Sequence, residues 1–194
     1  MTLPLVLASA SPRRLEILRS FSLPFEVFPH TFDERSVPWN GEDHDYAKEL
    51  SSSKALNVAQ RLPSRTIVAA DTIVVIDGKA LGKPKDKDDA KRMLLLLSGQ
   101  WHRVITGICV VSSGKVLTRT DETKVLLQPL TDAHIEAYLD LNQWQDKAAG
   151  YAIQGAGAIL VQRIEGCYYN VIGLPVVPLA FMLSEIGIDV WRYL

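Results

Sequence analysis

The chain has 194 residues, of which 47% are apolar and 22% charged, and its formal net charge is −1. That length accommodates one domain, or two lobes on one sheet, with a sizeable core. The balanced charge excludes any general attraction to nucleic acid or an anionic membrane, so phosphate binding must come from local clusters. Cys109 and Cys167 lie far apart and form no CxxC pair, which predicts reduced packing thiols in a cytosolic protein.

Leu3 to Ala8 predicts a buried first strand. It lacks the basic flank and apolar length of a leader peptide, and Pro4 interrupts it. No other stretch has the length of a transmembrane helix. Ser11 and Pro12 suit the N-cap and first position of a helix bearing Leu15, Ile17, Leu18 and Phe21. Arg13 and Arg14 then fall in a first turn that is already partly positive. An anion held there by backbone N–H groups, hydroxyls and guanidinium forks resolves the conflict. Two exposed arginines, each tolerated at about half a kcal/mol, are the plainer alternative.

Phe25 to Phe28 predicts a short strand, followed by a loop through Asp33-Glu34 and a helix from Asp43 to Leu62. Thr66 to Ile76 is strongly β-forming, and Asp77-Gly78 marks a hairpin turn into a return strand that reaches Pro84. Asp86 caps a helix containing Ala90, Met93, Leu94 and Leu97, which stops at Ser98-Gly99. His102 to Val111 and Lys115 to Leu127 predict strands, and Thr131 caps a helix with Ile135, Tyr138 and Leu139 on one face. Beyond the glycine-rich Gly150 to Gly157, Ala158 to Ile164 predicts a strand and Leu174 to Ile186 a closing helix. Hairpins mixed with helices predict an α/β fold with a mixed sheet.

Charged residues at apolar positions carry the chemistry. Lys54 lies amid Tyr46, Ala47, Leu50 and Val58 on the helical stripe, where an ammonium must find an anion, snorkel or lose its proton. Asp71 interrupts a β-branched run. A structural salt bridge, a wet face, or a role in holding a cation or taking a proton from water would each explain it. Asp33, Glu34 and Asp71 are hard oxygen donors suited to Mg²⁺ or Mn²⁺, while Arg13, Arg14, Lys54 and Lys83 offset a polyphosphate's charge.

Other motifs lack the required pattern. Gly155-Ala156-Gly157 is neither a dinucleotide fingerprint nor a P-loop, and the four histidines have no metal-ligand spacing. Ser9 and Ser11 have no nucleophile-elbow context and read as phosphate-binding hydroxyls. Trp39, Trp101, Trp144 and Trp191 read as packing residues.

A longer pattern joins these positions in order. It comprises Leu7-Ala8-Ser9-Ala10-Ser11-Pro12-Arg13-Arg14, Asp33-Glu34, Lys54-Ala55, Ala70-Asp71-Thr72-Ile73-Val74 and Gly82-Lys83-Pro84. It continues with Ser98-Gly99, His102-Arg103-Val104-Ile105-Thr106-Gly107, Gly150-Tyr151-Ala152-Ile153-Gln154-Gly155 and Asn170-Val171-Ile172-Gly173-Leu174-Pro175. Spanning nearly the whole chain, it resembles the Maf family of nucleoside triphosphate pyrophosphatases.

The resemblance implies one domain over residues 1–194, with an α/β fold like that of inosine triphosphate pyrophosphatases. In that fold a long twisted mixed sheet joins two lobes around a central cleft. It also implies metal-dependent hydrolysis of a nucleoside triphosphate to a monophosphate and pyrophosphate. Asp71 is then the proton acceptor, and Asp33, Glu34 and Asp71 hold Mg²⁺ or Mn²⁺. Ser9, Arg13, Arg14, Lys54 and Lys83 bind phosphates. Arg13, Thr72 and Gln154 match the subgroup acting on dTTP and UTP, whereas the 7-methyl-GTP subgroup carries tryptophan, glutamine and glutamate there. A nucleotide substrate and a homodimer follow from the same resemblance, while the cysteines point to the cytoplasm and the balanced charge to neither nucleic acid nor membrane as partner. The same chemistry on 7-methyl-GTP, or a nucleotide-binding role in regulating septum formation and cell division, are the alternatives it leaves.

Overall fold

The computed structural model describes residues 4–194. Leu3, where the sequence starts the first strand, and the first three residues of the expected domain lie outside the described residues. The strands are β1 (Leu5–Leu7), β2 (Phe25–Val27), β3 (Ile67–Ile76), β4 (Lys79–Leu81), β5 (Trp101–Ser112), β6 (Lys115–Leu127) and β7 (Val161–Glu165). The α-helices are α1 (Pro12–Arg19), α2 (Asp43–Ala59), α3 (Lys87–Leu97), α4 (Asp132–Leu139), α5 (Tyr168–Ile172) and α6 (Val176–Ser184).

The sheet is mixed, in the order β2-β1-β3-β5-β6-β7, with β4 paired to β3. β1 runs parallel to both neighbours, with Leu5 opposite Phe25 and Val6 opposite Ile67. Antiparallel pairing sets Val74 opposite Leu81 and Val125 opposite Ile164. Asp77 and Gly78, both at positive φ, close the β3–β4 hairpin, and Ser113 with Gly114 repeats that device between β5 and β6.

Two compact units share the chain. One holds the residues up to Asp71, Thr106–Asp121 and Gly173–Leu194; the other holds Thr72–Ile105 and Glu122–Ile172. The chain therefore changes unit inside β3, β5 and β6. In the first unit, Ala55 and Val58 of α2 pack with Val6, Ala8, Ile67, Ala69, Cys109 and Val111. Helix and strand meet so closely that a Cβ on Gly107 would lie 2.1 Å from the Ala47 carbonyl oxygen, so only glycine fits there. In the second unit, α3 and α4 bury Met93, Leu94, Leu97, Ile135 and Leu139 with Val74, Ile76, Val104, Val125 and Leu127. Asp86 caps α3 through the Asp89 N–H, and Thr131 with His134 forms a capping box on α4.

Two expectations need correction and one element is added. Gly155–Leu160 forms a 3₁₀ turn, and the strand begins only at Val161, because Gly155 takes φ +60° and Gly157 is crowded against Ala152. The expected closing helix is α6, and a short helix that the sequence reading did not expect, α5, precedes it. Gly173 at φ +115° and Pro175 separate the two, because the residue before a proline disfavours helical backbone. Of the four tryptophans only Trp144 is buried, and Trp191 is 80% exposed. No helix of the described residues is long and apolar enough to cross a membrane.

Candidate active site

In the first unit the site begins where β1 ends. Ser9, buried directly beyond the strand, accepts hydrogen bonds at Oγ from the Ser11 N–H (3.2 Å) and from Arg14 Nη1 (3.3 Å). Ser11 occupies the N-cap of α1, but among the described residues its side chain makes no cap bond. The half-buried Arg14 folds back and donates from Nε to the Gly173 carbonyl oxygen at 2.8 Å. Burial lowers its pKa from the usual guanidinium value and the nearby Asp71 opposes that shift, so guanidinium and carboxylate lie within electrostatic reach.

The centre of this cluster is Lys54. At 3% exposure its ammonium does not snorkel; it donates to Asp71 Oδ1 and pairs with Glu34 Oε1 at 2.9 Å. Asp71 is 7% exposed, so a buried cation and a buried carboxylate satisfy each other. The helical stripe supplies Lys54 and the β3 interior supplies Asp71. Neither position is tolerable without the other.

Glu34 reaches Lys54 from a 3₁₀ turn, Glu34–Ser36, whose N-cap is Asp33. The acidic pair therefore divides its work. Asp33 is exposed and accepts from the Arg35 N–H at 3.2 Å, from Arg35 Nε at 3.0 Å and from Nη2 at 3.2 Å. Those bonds, the side-chain ones first, hold its carboxyl below the usual range. Arg13 is half-buried on α1.

Two groups to which the sequence reading gave no role in the site join this neighbourhood. His30 has a buried Nδ1 without a partner among the described residues. Burial lowers its pKa, and Lys54 adds to that effect. Tyr46, on α2, has its phenol pKa raised by burial and then by Asp71 and Glu34. His30 stands three residues before Asp33 in one loop, but the fold of that loop toward Lys54 is a tertiary event with no sequence period.

The second unit presents the remaining positions. Thr72 follows Asp71 directly on β3 and is half-buried, and Lys83 is exposed just past β4. The Gly82 carbonyl oxygen accepts from the Ala149 N–H at 2.9 Å. Gln154 is half-buried at the N-cap of the Gly155–Leu160 turn. The structure thus gathers Ser9, Arg14, Glu34, Lys54 and Asp71, leaves Asp33 with Arg35, and laces the Lys83 turn to the segment leading to Gln154.

The Maf-like protein family matches residues 4–186 of this chain. A dTTP/UTP pyrophosphatase of Pyrococcus furiosus is 45% identical over 184 residues, covering 94% of this chain and 95% of its own length. One from Pyrococcus abyssi is 49% identical over 172 residues (89% and 90%), and one from Clostridium tetani 45% over 188 residues (95% and 98%). Among solved structures, protein VC0702 from Vibrio cholerae covers 96% of this chain and 99% of its own at 12% identity. Its TM-score of 0.41 is too loose to inform the fold. Family match and full-length relatives agree, and the chain belongs to the Maf-like protein family.

Proposed function

We propose that this chain hydrolyses dTTP and UTP to the monophosphate and pyrophosphate in the cytoplasm, with Mg²⁺ or Mn²⁺ as cofactor and as a homodimer. The observation that carries the reading is the buried Asp71, anchored by a lysine that also gathers Glu34. The relatives' names support the substrate class.

In this reading a water oxygen bonds to the α-phosphorus while its proton passes to Asp71, whose Oδ1 is held by Lys54. The bond from the α-phosphorus to the α,β-bridging oxygen breaks, and pyrophosphate leaves. Ser9, Arg13, Arg14, Lys54 and Lys83 bind phosphate oxygens, and Arg13, Thr72 and Gln154 choose the base. Arg14 is the best prepared of these, since its bonds to Ser9 and Gly173 fix its guanidinium beforehand.

The donor set fits a hard divalent ion. Among the described residues no three His, Cys, Asp or Glu side chains form a metal cage. Mg²⁺ commonly rests on one or two carboxylates, water and substrate phosphates. Glu34 and Asp71 meet that requirement, and Asp33 would join them on releasing Arg35. An ion bound there would polarise phosphoryl oxygens.

Pyrophosphate release from a panel of triphosphates in ¹⁸O-water tests the reading. Preference for dTTP and UTP with label in the monophosphate is the expected result. Label confined to pyrophosphate would overturn attack at the α-phosphorus, and preference for 7-methyl-GTP would overturn the base assignment.

A further inference from the structure

The segment from Gly150 to Gly157 carries Gln154 but no regular backbone ladder holds it. Ala149, Gly150 and Gly155 all take positive φ, and 3₁₀ turns stand at both ends. Buried side chains hold it instead. The Ala152 N–H donates to Tyr138 Oη of α4 at 3.3 Å. Tyr151 turns inward and is hydrogen-bonded through Oη to His102 Nε2 of β5 at 2.6 Å, the rings meeting edge-on at 5.5 Å.

These three side chains are 4% (Tyr138), 5% (Tyr151) and 2% (His102) exposed. On the far side, a Cβ on Gly157 would lie 2.1 Å from the Ala152 carbonyl oxygen. At the near end, Gly150 rests against Pro84 and Ala90. The framework carries no charge at neutral pH, because burial pushes His102 down to about 4 and raises the Tyr151 phenol above its usual value.

A side-chain amide offers a carbonyl acceptor beside an amino donor and exchanges them on a half-turn. Uracil and thymine present a carbonyl where cytosine presents an amino group. A glutamine on a mobile backbone satisfies either pattern. Discrimination requires the backbone beneath the amide to be held.

We infer that Tyr138 and the His102–Tyr151 pair are positioning residues that fix the Gln154 segment and thereby set the choice of uracil-type over cytosine bases. The inference rests on the dTTP/UTP reading above. None of the three needs to touch the nucleotide.

The test compares full-length wild type, Tyr138→Phe, Tyr151→Phe, His102→Gln, Gln154→Ala and the Tyr138→Phe/Gln154→Ala double variant. Turnover of UTP and CTP is measured, together with calorimetric affinity for their non-hydrolysable α,β-imido analogues. Tyr138→Phe and Tyr151→Phe are expected to raise KM for UTP about tenfold with kcat nearly unchanged, and to lower the UTP/CTP ratio. His102→Gln, which keeps a hydrogen-bonding nitrogen for Tyr151, is expected to retain more of the wild-type ratio than Tyr151→Phe does. In the Gln154→Ala background, Tyr138→Phe changes the ratio no further, the non-additivity expected of residues acting through one another. Amide exchange at Ala152 should quicken in Tyr138→Phe while the Ala149 amide stays protected.

An unchanged ratio in both tyrosine variants, or an equal drop with and without Gln154, overturns the inference. So does equal wild-type affinity for the two analogues. Wild type that binds imido-UTP selectively yet releases no pyrophosphate from UTP or dTTP overturns the pyrophosphatase reading alone, and the affinity ratios then decide the inference.

Discussion

The two units bury polar groups by opposite means. The first places a full cation and a carboxylate in its interior and brings in Glu34 as a second anion. The second buries His102, Tyr151 and Tyr138 as neutral partners. Buried charge is costly and breaks badly when one partner is lost, whereas a neutral hydroxyl network costs little and mainly fixes shape. The difference separates a region that keeps charge in its interior from a region whose buried polar groups fix backbone shape.

The largest effect should come from removing the carboxylate. Asp71→Asn keeps the side chain's size and is expected to lower kcat for UTP by about 10³-fold with little change in nucleotide affinity. Single-turnover kinetics beside calorimetry would measure both, and near-normal turnover would take Asp71 out of the reaction. Lys54→Met leaves the Asp71 carboxylate buried without its cation. It should cost about 3–5 kcal/mol in urea unfolding, and adding Asp71→Asn should restore part of that.

The neutral network predicts a pH dependence of stability. His102 titrates near 4 in the folded chain against an ordinary 6.5, so the unfolded chain takes up its proton first as pH falls. Stability attributable to His102 is complete above about 6.5 and declines toward pH 4, by at most about 3 kcal/mol. His102→Gln should flatten that part of the urea midpoint profile; an unchanged profile would mean that His102 is not buried neutral. The smallest effect belongs to the surface pair. Arg35→Ala frees the exposed Asp33 and should change stability by less than about 1 kcal/mol, read as a small shift in thermal midpoint.

Much of the framework was legible in the residues themselves. Periodicity and caps located α1, α3 and α4, and Asp77-Gly78 located the hairpin, because these signals are local. Lys54 and Asp71 stood out for the same reason, as charges inside apolar patterns, although nothing local said that they would pair with each other. His102 shares strand parity with the buried Val104, a sign of an inward side chain, yet its partner Tyr151 lies 49 residues away. The pairing of Asp33 with Arg35, two residues on, and the turns set by Gly155 and Gly173 are local and went unread, whereas the reach of Glu34 to Lys54 depends on tertiary geometry that a one-dimensional pattern does not encode.

The path of the chain through β3, β5 and β6 has a consequence for biosynthesis. The unit that owns Asp71 is assembled from three separated stretches, the last being Gly173–Leu194. A polypeptide still emerging from the ribosome already holds Ser9, Lys54 and Asp71, but not the Gly173 carbonyl that orients Arg14. The Arg14 guanidinium is therefore locked only after every residue of the second unit has been made, so the cluster is completed well after its central residues have emerged.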